Sequence, residues 1–228
     1  MKSLGFAARS WELLDGPHGD LTSPKVLRQV LADIRSGRAV AGMLAPPCSS
    51  FSCARDRTAV IRTRLEPWGV SGEVSPKDAE RLEVGNSTAR SAIVIAKAFH
   101  KKGLPWIIEN PHSSKIWWLP PMLELASLSG VEAVVTDFCM FARPWRKRTL
   151  LLCGNIKEED RARLCRRCSG TRGFCSRTGQ RHLQLTGSAP CGTPWTRIAQ
   201  PYPPALCKQL AFVLTEGYRE RFMNKCSA

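Results

Sequence analysis

The chain has 228 residues, 43% hydrophobic and 23% charged, a balance that excludes general disorder and leaves room for one sizeable domain, with or without a small appended module. Its 34 Lys and Arg against 19 Asp and Glu give a formal charge of +15, which points to a polyanionic partner. No run reaches the roughly 18 apolar residues of a membrane span, and MKSLGFAARSWELLDG at the start lacks an apolar core followed by a cleavage site.

Residues 24–36 place Val26, Val30, Leu31 and Ile34 on one helical face, with Ser23 as N-cap, Pro24 at the first position and Gly37 as the stop. The apolar run AVAGMLA follows as a buried strand that ends at Pro46-Pro47. Residues 53–74 are rich in Arg and Gly and read as a mobile loop, too polar to pack. A second helix is expected from Ser75-Pro76 to Lys102, stopped by Gly103. Strands are expected at Leu104–Ile108, Val131–Thr136 and Thr149–Cys153, and a closing helix in PPALCKQLAFVLTEGYRERF. This alternation predicts an α/β fold: a Rossmann-like, doubly wound, mostly parallel sheet of the class I methyltransferase kind. The expected division is a core over 1–156, N-terminally incomplete, a Cys/His-rich module over 157–197, and a C-terminal helix over 198–228 that returns to the core.

Three segments at strand ends carry the chemistry: APPCSSFS (45–52), IIENP (107–111) and FARPWRKRTLLL (141–152). Side chains outside the carboxyl ends of strands can converge on one cleft. In this order the segments resemble the DNA cytosine-5 methyltransferases, which have a PPCQxFS nucleophile loop, an ENV tripeptide and a QxRxR motif before a strand. Cys48 matches the nucleophile, flanked by Pro46, Pro47, Phe51 and Ser52. Glu109 and Asn110 match the start of ENV, with Pro111 in place of valine. Arg146 and Arg148 match the paired arginines, although WRKR is one residue shorter and Trp145 stands where glutamine is usual.

The resemblance implies an S-adenosylmethionine-dependent methyltransferase acting through a covalent adduct of Cys48 at cytosine C6. Such a thiol needs its pKa lowered, for which Arg55 and Arg57 are the nearby cations. Glu109 is expected at the base N3, and Arg148 at O2 or a phosphate. No FxGxG cofactor loop precedes Cys48; Glu12, Asp20 and Pro46 are the residues left for S-adenosylmethionine. The alternatives are a catalytically silent nucleic-acid-binding protein on the same scaffold, and methylation of RNA. A hydrolase pairing Cys48 with His112 has no comparable surround.

Without a secretory signal, the ten cysteines read as free thiols, a catalytic thiol and metal ligands. Cys165, Cys168, Cys175 and His182 are spaced as a structural zinc set that would staple a polar segment with no core of its own. Residues 141–181 hold 12 Lys and Arg against 3 Asp and Glu, so Arg166, Arg167, Arg172, Arg177 and Arg181, with Arg55 and Arg57, are expected to track phosphates. The expected partner is DNA, with RNA as the alternative and no membrane. The chain is expected to be monomeric and intracellular, and nuclear in a eukaryotic cell.

Overall fold

A computed structural model describes residues 6–12 and 16–222. The elements in order are α1 (Pro24–Arg35), β1 (Gly42–Leu44), α2 (Pro76–Lys101), β2 (Trp106–Pro111), α3 (Pro120–Ala126), β3 (Val131–Asp137), β4 (Arg148–Gly154), α4 (Glu158–Leu164), α5 (Trp195–Ile198) and α6 (Pro204–Phe222). The two long helices start and stop where the sequence marks them. Ser75 accepts the Asp78 N–H at the start of α2, whereas Ser23 fills the N-cap position of α1 without a side-chain bond. Gly37 and Gly103 adopt φ of +77° and +69° just past the helix ends, a conformation a Cβ would oppose. Among the described residues no helix is long and apolar enough to cross a membrane.

The fold is α/β, but the sheet is mixed rather than mostly parallel. Its order is β1-β2-β4-β3; β1 and β2 run parallel, and β4 pairs antiparallel with both β2 and β3. Connection length explains the difference. Between β1 and β2 lies the whole of α2, enough chain for a crossover, while β3 and β4 are joined only by residues 138–147, which return the chain as a hairpin does. Alternate side chains then feed two cores. Trp106, Ile108 and Leu152 pack with Val30, Ile34, Ile95 and Phe99 of α1 and α2 on one face. Ile107, Leu151 and Cys153 pack with Leu164, Leu206 and Val213 of α4 and α6 on the other.

The antiparallel setting of β4 has a direct consequence for the three motifs. Pro111 lies opposite Thr149, and Asp137 opposite Arg148, so residues that precede β4 share a sheet edge with residues that end β2 and β3. Were β4 parallel, its start would lie at the far edge.

The stretch 53–74 is packed, contrary to the expectation of a mobile loop. Ile61 and Arg62 are buried. The Arg62 Nε donates to the Ser50 carbonyl (3.1 Å), Nη1 to the Pro67 carbonyl (2.7 Å) and Asn86 Oδ1 (2.8 Å), and Nη2 to Ser50 Oγ (3.1 Å). A polar side chain can be buried when its donors are all used, and here neutral oxygens use them. Burial pulls the Arg62 pKa down to about 10, which leaves it charged at neutral pH.

Candidate functional site

Cys48 is an exposed thiol on a loop fixed from three sides. On the β2 side, Asn110 Nδ2 donates to the Pro46 carbonyl at 2.8 Å. Arg62 holds Ser50 from below, its guanidinium 3.9 Å over the Phe51 ring, and the Lys115 amide donates to the Phe51 carbonyl at 2.8 Å. Helix α2 approaches so closely that a Cβ on Gly85 would meet Ser50 Oγ at 2.2 Å, so only glycine fits there. A reactive atom presented on a backbone this constrained is held in one place without its own side chain being buried.

Glu109 ends β2 on the same side. It is 6% exposed, its Oε2 accepts the Tyr202 hydroxyl at 2.7 Å, and its Oε1 has no partner. Asn110 Oδ1 and Thr149 Oγ1 are also buried without partners at this end of β2 and β4. Buried oxygens are ordinarily paired, so three unspent ones at adjacent strand ends are a departure from the usual pattern, with Glu109 and Thr149 on one face of the sheet and Asn110 on the other. Burial raises the Glu109 carboxyl above its ordinary range, opposed by the Tyr202 hydrogen bond and the charge of Lys147. Tyr202 is itself pushed up by burial and then by the Glu109 charge, which keeps it a donor.

The Cys48 thiol is raised as well, first by desolvation among the loops around it and then by the Glu109 charge, while Lys147 lowers it. Lys147 is therefore the cation that reaches both Cys48 and Glu109. Its Nζ lies 4.7 Å over the Phe138 ring and donates to the Ala199 carbonyl at 3.4 Å. Arg55 and Arg57, expected in that role, are elsewhere: Arg55 pairs with Asp78, and Arg57 is exposed.

Arg146 and Arg148 engage Asp137, which is fully buried. Arg148 makes a two-pronged contact through Nε (3.0 Å) and Nη2 (2.9 Å), and Arg146 Nε approaches to 3.5 Å. Strand alternation explains the split: with Arg146 and Arg148 committed to one side, Lys147 between them is directed to the other. Sequence reasoning singled out the arginines of WRKR and passed over the lysine.

Of the residues left for S-adenosylmethionine, Glu12 is exposed with its backbone against Gly19, and the Asp20 carboxylate accepts the Thr22 amide (2.8 Å) and hydroxyl (2.7 Å). Pro46 is buried and its carbonyl is taken by Asn110. None of the three lines the cavity of about 300 Å³ beside β1, whose wall includes Arg9, Trp11, Val40 and Met43.

A second group forms where β3 ends. Cys139, Cys168, Cys175 and His182 are all buried, their ligand atoms lie within 4.8 Å of one another, and together they could hold a metal ion. Cys139 takes the place expected for Cys165, which is exposed and outside the group. The spacing of Cys165 and Cys168 resembles a ligand pair, but α4 runs to Leu164 and the chain then turns so that only Cys168 points inward. Arg166, Arg167, Arg172, Arg177 and Arg181 are exposed around this group; Arg177 Nε donates to the Cys139 carbonyl (2.7 Å), and Arg166 and Arg181 lie over Phe141 and Phe174.

No protein-family model, curated protein or solved structure matches this chain.

Proposed function

We propose that the chain is built on the scaffold of a DNA cytosine-5 methyltransferase and engages a cytosine base through Cys48 and Glu109. One observation carries the reading: the Cys48 loop and Glu109 meet at one sheet edge, with the Asn110 side chain tying the two motifs together. The chemistry needs the thiolate of Cys48 and a proton on Glu109. A base taken out of the stack offers C6 to the thiol and N3 to an acid. Lys147 favours the thiolate of Cys48, and burial keeps Glu109 disposed to hold a proton. As the sulfur–C6 bond forms, the C5–C6 π electrons move toward C5, and a hydrogen bond from Glu109 to N3 stabilises the charge. Water protonates C5, the original C5 hydrogen then leaves as a proton to water, and expulsion of the Cys48 thiolate from C6 restores the C5–C6 double bond with the C5 hydrogen exchanged. In the family resembled here S-adenosylmethionine supplies the methyl group.

A second reading, a nucleic-acid-binding protein without catalysis, is favoured by the raised Cys48 thiol. Release of tritium from [5-³H]cytosine in DNA and in RNA separates the readings and the substrates. Exchange by the wild type, abolished in Cys48→Ala and slowed by about a hundredfold or more in Glu109→Gln, is the expected result. Tight DNA binding without exchange would leave the binding protein.

A further inference from the structure

The residues from 165 to 188 are almost entirely solvent-facing. The buried ones among them are Cys168, Cys175 and His182, and the small cluster they enter contains Cys139 and the edge of Met140 but no ordinary aliphatic side chain. Apart from the partly buried Leu183 and Leu185, which pack on the second core, this segment of 24 residues turns two thiols and an imidazole inward against Cys139. Their shared feature is the ability to bind one soft or borderline cation.

The geometry fits such a cation. Tetrahedral zinc with Zn–S of about 2.3 Å and Zn–N of about 2.0 Å sets its ligand atoms about 3.5–3.8 Å apart. Cys168 Sγ and His182 Nε2 are 3.7 Å apart, and all four ligand atoms fall within 4.8 Å. The surroundings are those of a thiolate: the Ser176 amide and hydroxyl both approach Cys168 Sγ, at 3.4 and 3.5 Å. The Cys175 turn is closed by Gly179 N–H to the Cys175 carbonyl at 2.8 Å, and the His182 amide is fixed on the Gly173 carbonyl at 2.7 Å. Four protein ligands leave no open position, which makes the site structural.

The group is also joined to the sheet. Cys139 sits two residues after Asp137, the end of β3, and the same Asp137 accepts the Cys168 amide at 2.8 Å while pairing with Arg146 and Arg148. We propose that Cys139, Cys168, Cys175 and His182 hold one zinc ion, and that the ion fastens residues 165–188 to the end of the β3–β4 hairpin. The arginine-bearing segment then belongs to the core through Cys139 rather than standing as a separate finger.

The test uses the full chain purified under reducing conditions without chelator. Elemental analysis is expected to find about one zinc per chain, and cobalt(II) exchanged into the site is expected to give the intense visible bands and sulfur-to-metal charge transfer of a tetrahedral thiolate set. Cys165→Ser is expected to keep the metal and Cys139→Ser to lose most of it. Should Cys139→Ser not fold, trypsin applied to the wild type before and after metal removal replaces it: cleavage within 165–188 should rise at least tenfold while the core persists. A wild type that carries no zinc and takes up no cobalt when reduced overturns the proposal. So does loss of metal from Cys165→Ser with retention in Cys139→Ser, or a cleavage pattern indifferent to the metal.

Discussion

Tyr202 donates its hydroxyl to Glu109 Oε2 at 2.7 Å, joining the turn before α6 to the end of β2 across 93 residues of chain. Among the described residues it is the sole hydrogen bond to a carboxylate whose other oxygen is buried and unpartnered. Tyr202→Phe therefore leaves Glu109 with no donor. Denaturant unfolding at pH 7 is expected to show a loss of about 1–3 kcal/mol, the cost of an unsatisfied buried acceptor.

Glu109 also sets a pH dependence of unusual sign for a carboxylate. Because burial raises its pKa in the folded chain, its protonated form favours folding. That contribution is complete below the ordinary glutamate value and is lost as pH rises through the raised one. Glu109→Gln is expected to be more stable than the wild type at pH 7, with the difference shrinking as pH falls through the raised value to the ordinary glutamate value and levelling off below it. Paired unfolding curves across that window check it, and a constant difference would remove ionisation as the cause.

Arg62 is the strut of the Cys48 loop. Replacing it by Ala strands the Ser50 and Pro67 carbonyls and the Asn86 side chain. A loss of at least about 3 kcal/mol is expected, with partial recovery in Arg62→Lys. A thiol-specific alkylating reagent followed by peptide mass spectrometry should report faster labelling of Cys48 in Arg62→Ala, as a looser loop lets the reagent approach the exposed sulfur from more directions.

The same labelling measured against pH addresses the electrostatics of the thiol. Its midpoint in the wild type is expected above that of an ordinary cysteine, because desolvation and then Glu109 raise it. Lys147→Met should move the midpoint further up and Glu109→Gln should move it down. Equal midpoints in all three proteins would mean that neither charge reaches Cys48.

Binding to duplex DNA is expected to weaken linearly in log affinity with log salt, since each phosphate neutralised releases counterions. Arg167 and Arg172 are exposed beside the cysteine group. The Arg167→Ala, Arg172→Ala double variant should flatten the slope by about 2 if each contacts one phosphate. An unchanged slope in a titration followed by anisotropy would take these two residues out of the interface.

Helices α1, α2 and α6 and the four strands were legible because local rules govern them: Ser-Pro starts, glycine stops and apolar periodicity all act within one turn or one pleat; the short α3, α4 and α5 were not anticipated. Cys48 and Glu109 were legible as motif residues, and the sheet brings them together. Lys147 and Tyr202 were not. Lys147 is one of three consecutive cations, and strand alternation and the partner Asp137 separate it from its neighbours only in three dimensions. Tyr202 meets Glu109 through a contact with no sequence proximity. Cys139 escaped for a related reason, since ligand spacing favours cysteines close in sequence and the fold supplies one from the end of β3. The polar run around Arg62 looked unpackable because its arginine has no acidic partner; it is satisfied by carbonyls, which every sequence contains.

The placement of β4 between β2 and β3 also orders events in time. The β3–β4 hairpin closes across residues 138–147, a short loop with little entropy to lose, and can form early. The β2–β4 seam joins segments much farther apart along the chain, from Trp106–Gly154 to Pro111–Thr149. Glu109 ends β2 and Lys147 leads into β4, so the mutual influence of Cys48, Glu109 and Lys147 on titration requires the β2–β4 pairing and not the hairpin alone.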